Sequence, residues 1–334
     1  MPLVRGRESV LAVYADAARM GWVIPTFCSE NLTTTEAVLA AALEQAARTG
    51  RPDIPVTLAV TNLYPHRSQT VNYTATGRWD IGLRLFMADI EALTGAGSPF
   101  AGLNVMTHLD HIQPDEDAEL LNGDLSAYSS IMFDASAGPM ERNVELTAEF
   151  VRRRGSEIVV EGACDEIVDA TGAERSDLTS PERAEDYLNR TGVDFIVANL
   201  GTEHRASSAN LSYHGDLARQ ISARIGSHIV LHGCSSVPID QVENLFTDGV
   251  AKVNIWTALE RDSSPALLEA MVKHAAKVSG PEVARRLVTE GMLGPNADAD
   301  SRADLGWYTT CSRQRIVFEE MKRIAGQFFQ TWYR

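Results

Sequence analysis

Cysteine is scarce in this chain and never paired. The four present (Cys28, Cys164, Cys234 and Cys311) are scattered, with no C-x-x-C spacing. That argues against a disulfide framework and reads as reduced, cytosolic thiols. Positive charge is also short: 30 Lys plus Arg against 45 Asp plus Glu, a net charge of −15. Nucleic acid and anionic membrane surfaces reward a basic face, so neither is an expected partner. A small anionic substrate gripped by a few local donors stays compatible with that balance. No apolar run approaches the ~20 residues of a membrane span. The first residues, MPLVRGRESVLAVYADAARMGW, read as an amphipathic helix without the unbroken apolar core of a signal peptide. The expectation is a soluble, cytoplasmic protein. No G-x-G-x-x-G follows an early strand, which weakens the case for a dinucleotide fold.

What the chain does have is regular alternation. Apolar positions over 8–19 recur at helical spacing, and Trp22–Phe27 is a short strand. Thr33-Thr34-Thr35-Glu36 looks like a capping sequence for a helix that ends at Gly50. Strands Pro55–Val60, 102–108, Ala127–Phe133, Glu157–Val160, Val193–Leu200, His228–Leu231 and Val250–Ile255 follow. Helical sequence separates them, including 79–94, 114–121, 140–154, 181–189, 211–224 and 238–247, with a further helix over 256–276. Eight strands alternating with helices over about 250 residues predict an α/β protein with a parallel sheet closed into a (β/α)8 TIM barrel. An open doubly wound sheet is the alternative. Two long polar loops, 62–74 and 162–180, are candidate lids. Residues 1–280 are assigned to the barrel with its N-terminal helix. Residues 281–334 form a C-terminal helical extension, whose FFQTWYR aromatics are expected to pack on the barrel or on a sister subunit.

The C-terminal strand ends of such a barrel build its active site. Here they carry His108, Asp110 and His111, then Asp134, Glu161, and Glu203-His204-Arg205. His232, Gly233 and Ser235 follow, and finally Asn254 and Thr257. No structural role explains so many ionisable groups on one rim. Histidines from three different strand ends point to one shared divalent metal, and imidazoles with open positions suit catalytic Zn2+. Adjacent residues at a strand end are expected to diverge, so Asp110 should not point with His111, although it can still face a substrate. A metal that polarises a carbonyl beside a carboxylate acid/base is the apparatus for making and protonating an enolate. Gly233-Cys234-Ser235-Ser236 ahead of a helix is a weak anion-binding signal, strengthened by following His232 directly.

These residues resemble the class II, zinc-dependent fructose-bisphosphate/tagatose-bisphosphate aldolase family. The matching stretches are THLDHI, IMFDAS with NVELTAEFVRRRG, IVVEGA, DFIVANLGTEH, IVLHGCSSVP and GVAKVNIWTALE, in order from about Trp22 to Glu260. The resemblance implies Asp110 as catalytic acid/base and His111, His204 and His232 as zinc ligands. It also implies Gly233, Ser235, Asn254 and Thr257 as holders of a substrate phosphate, with His108 supporting from behind. Asp134 and Glu161 become supporting groups or a second metal position. It implies reversible cleavage of a ketose phosphate into a ketone unit and an aldehyde, and a homodimer or homotetramer.

The departures leave the triad and Asp110 intact and lie at the phosphate pocket and a secondary metal position. Arg205 stands where the family has glycine, Cys234 replaces the second glycine of H-G-G-S, and Trp256 replaces an acidic or polar residue. Ala163 replaces the second of two strand-five glutamates. The expected chemistry is therefore a metal-dependent aldolase with an altered phosphate pocket and a non-standard substrate: either Arg205 grips a phosphate or carboxylate, or Trp256 fills the phosphate pocket and favours an unphosphorylated ketose. The other readings are a metal-dependent epimerase or isomerase on the same barrel and a non-catalytic aldolase-like partner subunit.

Overall fold

Eight parallel strands close on themselves in sequence order: β1 (Ile24–Cys28), β2 (Pro55–Thr61), β3 (Asn104–Ile112), β4 (Ser130–Phe133), β5 (Val159–Ala163), β6 (Phe195–Val197), β7 (Ile229–Leu231) and β8 (Val250–Ile255), with β8 paired back to β1. This is the (β/α)8 barrel. It is seen in a computed structural model that describes residues 3–167 and 178–334. The candidate lid 162–180 thus lies partly outside the described residues, at 168–177. Nearly every strand residue is buried, as a barrel wall packed on both faces requires.

Among the described residues, α1 (Arg7–Met20) precedes the barrel, and α2 (Leu32–Thr49), α4 (Trp79–Thr94), α6 (Met140–Arg154), α7 (Pro181–Thr191) and α8 (Gly215–Ile225) cover its outside. Single turns α3 (Gln69–Asn72) and α5 (Ala118–Asn122) sit within connections. Local chemistry explains the limits of the longer helices. Asn31 caps α2 by accepting from Thr33 N at 2.8 Å, two residues ahead of the expected Thr33 start. Ser180 caps α7 with Pro181 in its first turn. Gly21, Gly50 and Gly192 close α1, α2 and α7 in the left-handed conformation. The helix expected at 238–247 is instead a short 3-10 turn over Ile239–Val242 followed by turns. The chain then enters β8 through Gly249, at φ 88°.

After β8 the chain runs through α9 (Thr257–Lys273), α10 (Ala275–Ser279), α11 (Pro281–Thr289) and α12 (Leu305–Tyr308) into the 23-residue α13 (Thr310–Trp332). Helix α13 lies against α2 and α9. Phe328 and Phe329 pack on Phe27, and Tyr333 stacks on Trp22. Their polar tips are satisfied in the same step: Trp332 Nε1 donates to Val242 O at 2.8 Å and Tyr333 Oη to Pro55 O at 2.8 Å. The terminal aromatics thereby brace the wall behind β1, the strand that ends at the site.

Candidate active site

β3 delivers the first cluster. Its register with β4 slips between Leu109 and Ile112, and His111 takes a left-handed backbone with φ 50°. The irregularity defeats the alternation of a regular strand, so consecutive residues Asp110 and His111 both line one pocket. The expected divergence of these two side chains does not occur, for that reason.

The same pocket is lined by His204 from beyond β6 and His232 from the end of β7. One ligating nitrogen from each of His111, His204 and His232 falls within 4.8 Å of the others. The rings stand nearly perpendicular to one another, at 74°, 90° and 89°. All three Nε2 atoms are buried without any hydrogen-bond partner. Burial first, and His111 second, push His204 down to about 3; burial likewise holds His232 well below the ordinary histidine value. Three buried imidazole nitrogens that converge with no hydrogen-bond partner fit a divalent cation. His111 is oriented from behind, its Nδ1 lying 2.7 Å from Asp134 Oδ2. Asp134 is steadied in turn by Ser136 N at 3.1 Å and Oγ at 2.6 Å. A carboxylate on the far nitrogen of a ligand histidine fixes its tautomer and raises its basicity. Tyr64 stacks on the free face of the His111 ring at 4.5 Å.

Asp110 is buried, 3% exposed. Burial, the largest effect, pushes its carboxyl up, but the electrostatic pull of the surrounding imidazoles, His111 foremost and then His108 and His232, outweighs burial and holds it well below the usual range. Asn254 Nδ2 donates to Asp110 Oδ1 at 2.9 Å, and the Cys28 thiol donates to Oδ2 at 3.3 Å. The carboxylate is thus presented ionised, in a fixed plane, beside the triad.

Below it lies a buried network that sequence reasoning did not find. Lys252, fully buried on β8, donates to both oxygens of Glu161 at 2.7 and 2.8 Å and lies 3.2 Å from His108 Nε2. His108 Nδ1 lies 2.8 Å from Ser130 Oγ, and its Nε2 stands 3.6 Å from Asp110. Where the sequence allows a second metal position at Glu161, the structure has this ion pair. The signal was available: a lysine inside the apolar strand VAKVNI must find an anion or not be there.

The remaining candidates ring the pocket: Arg205, Gly233, Ser235, Asn254 and Thr257 all line it. Gly233 has φ 67°, and a Cβ there would lie 2.7 Å from the backbone of Glu203, so only glycine fits. Ser235 Oγ accepts from Ala258 N at 3.1 Å, which ties the β7 loop to the first turn of α9. That helix opens on the pocket at Thr257, a favourable place for an anion. Arg205 also has a left-handed backbone, φ 52°, which an arginine adopts only at a cost. Trp256 lines the wall with its Nε1 donating to Glu30 Oε1 at 2.8 Å; Arg67 pairs with the same carboxylate, and Gln69 Nε2 reaches it at 3.3 Å. The loop after β2 is therefore fastened to β1 and β8, a clamp that no sequence spacing revealed.

Comparison with known proteins agrees with this geometry. The family model described as fructose-bisphosphate aldolase class-II matches residues 8–293. A D-tagatose-1,6-bisphosphate aldolase subunit of Klebsiella oxytoca is 28% identical over 257 residues, covering 75% of this chain and 81% of that protein. A fructose-bisphosphate aldolase of Staphylococcus epidermidis is 27% identical over 307 residues, covering 88% and 96%. Among solved structures, the fructose-bisphosphate aldolase of Campylobacter jejuni shares the fold, with a TM-score of 0.72 at 18% identity over 99% of this chain and 96% of that one.

Proposed function

The chain belongs to the class-II fructose-bisphosphate aldolase family, and we propose that it is a metal-dependent aldolase whose divalent ion, zinc, is held by His111, His204 and His232. The observation that carries this reading is the set of three buried, unpartnered Nε2 atoms that converge beside the buried carboxylate of Asp110. When bound, the metal supplies electrophilic polarisation of a substrate carbonyl oxygen. Asp110 moves the proton on the carbon next to that carbonyl. In condensation it removes this proton, the freed electron pair forms the new carbon–carbon bond to the aldehyde, and the proton is passed on to the aldehyde oxygen, which becomes a hydroxyl. In cleavage Asp110 takes the proton of that hydroxyl as the bond breaks and the aldehyde leaves, and gives it to the carbon next to the ketone carbonyl. Asn254 keeps the carboxylate in plane throughout, and the buried setting keeps bulk water from competing for the proton.

Gly233, Ser235 and Thr257 place backbone and hydroxyl groups at the α9 end of the pocket, where an anionic end of the substrate is received. Arg205 is the proposed reader of that substrate. The chain tolerates a left-handed arginine immediately after a triad histidine, and backbone strain of this kind persists where the side chain has work to do. Trp256 fills a wall that the family keeps polar, so the ligand end beside it is expected to differ from a standard bisphosphate.

Aldol cleavage and condensation over a panel of phosphorylated and unphosphorylated ketoses tests the reading. Arg205→Gly is expected to raise KM for the best anionic substrate about tenfold, the loss of a charge-assisted contact, with kcat changed far less. The same variant should unfold at a slightly higher temperature, because glycine adopts φ 52° without strain. An unchanged KM would remove Arg205 from the substrate site. Absence of aldol chemistry across the whole panel would refute the function.

A further inference from the structure

We infer that Cys28 is a positioning residue for Asp110, and that Asp110 exchanges its proton at Oδ2, the oxygen held by this thiol. The inference rests on the reading of Asp110 as the acid/base group.

Cys28 is the last residue of β1, is 4% exposed, and lines the pocket together with Asp110. Its Sγ lies 3.3 Å from Asp110 Oδ2. Burial first, and the Asp110 charge second, push the thiol well above its ordinary value, so it stays protonated and acts as a donor. A role as nucleophile or metal ligand needs the thiolate, which this setting opposes.

The two carboxylate oxygens are held unequally. Oδ1 accepts a full-strength amide hydrogen bond from Asn254 Nδ2 at 2.9 Å and also faces His108 Nε2 at 3.6 Å. Oδ2 faces the thiol, and an S–H is a weak donor. A strong donor lowers the basicity of the oxygen it binds and is costly to displace. A weak donor fixes direction, leaves the oxygen basic, and gives way when the substrate proton arrives. Asn254 therefore fixes the plane, while Cys28 aims the reactive oxygen. The bracing of β1 by Phe328, Phe329 and Tyr333 gives Cys28 a rigid mount.

The test compares wild type, Cys28→Ala and Cys28→Ser in the metal-loaded enzyme, with infrared detection of the S–H stretch. Cys28→Ala is expected to lower kcat about fivefold to tenfold, the worth of one modest hydrogen bond, with KM and bound metal unchanged. Cys28→Ser, which restores a donor, should recover most of that loss. The S–H band of Cys28, identified by its disappearance in Cys28→Ser, should shift in Asp110→Ala. Wild-type kcat in Cys28→Ala, a loss confined to KM, a serine variant no better than alanine, or a band indifferent to Asp110 each overturns the inference. The infrared arm needs no folded Cys28→Ala protein. The two readings also fail separately: turnover that survives in Asp110→Asn removes the acid/base assignment, whereas a null result at Cys28 leaves that assignment standing.

Discussion

Asp110→Asn is expected to lower turnover about a thousandfold while one metal ion per chain stays bound. The two halves of this result have separate causes. Asparagine keeps the size and planarity of the side chain and can still accept from Asn254 through Oδ1, so the local packing is preserved. It cannot accept a proton at neutral pH, so the step at the substrate carbon has no base. The triad nitrogens belong to His111, His204 and His232, and the carboxylate that orients His111 is Asp134, so metal retention has no direct dependence on Asp110. Activity and metal content measured on one preparation separate these terms. Near-wild-type turnover would remove Asp110 from the chemistry, and loss of metal together with activity would make it part of the metal site.

Lys252→Met is expected to destabilise the fold by about 3–5 kcal/mol, the usual result of stranding one partner of a buried ion pair. Lys252 and Glu161 are both fully buried inside the barrel, and both Glu161 oxygens are bound by the same ammonium. Removing the cation leaves a carboxylate with no water to solvate it. The double variant Lys252→Met/Glu161→Gln removes both charges and should recover at least half of the lost stability, because a neutral amide is far less costly to bury. Urea or thermal unfolding of the single and double variants reads this directly. A single variant within about 1 kcal/mol of wild type would mean that the pair contributes no more than an exposed one. Activity should fall in both variants, since Lys252 also lies beside His108, which stands next to Asp110.

The barrel was legible in the sequence because its signal is repeated eight times: an apolar strand, a polar end, an amphipathic helix. The histidines are legible because each lies near or shortly beyond the C-terminal end of such a strand. What escaped depends on distortions or on contacts between distant segments. Asp110 and His111 share a pocket only because β3 slips register and His111 turns left-handed, and neither event has a composition signature. In the sequence Cys28 is one more reduced thiol, since nothing in IPTFC says that β1 ends 3.3 Å from a carboxylate 82 residues away. Nothing in the sequence near Glu161 announces Lys252, its partner 91 residues later on a strand across the barrel. The clamp of Arg67, Glu30 and Trp256 likewise joins three strand ends. The residues proposed to read the substrate are positioned by such cross-rim contacts, so the proposed chemistry is more legible in the chain than the proposed specificity.

The central claim is that this pocket labilises a carbon-bound proton through Asp110 with the help of a divalent metal. Hydrogen–deuterium exchange at the carbon next to the carbonyl of a ketone substrate, followed by NMR with and without a chelator, tests it most directly. Exchange should proceed in the untreated enzyme with about one metal per chain, stop when the chelator strips that metal, and return when zinc is restored. Exchange that continues undiminished in chelated, metal-free protein would contradict the account.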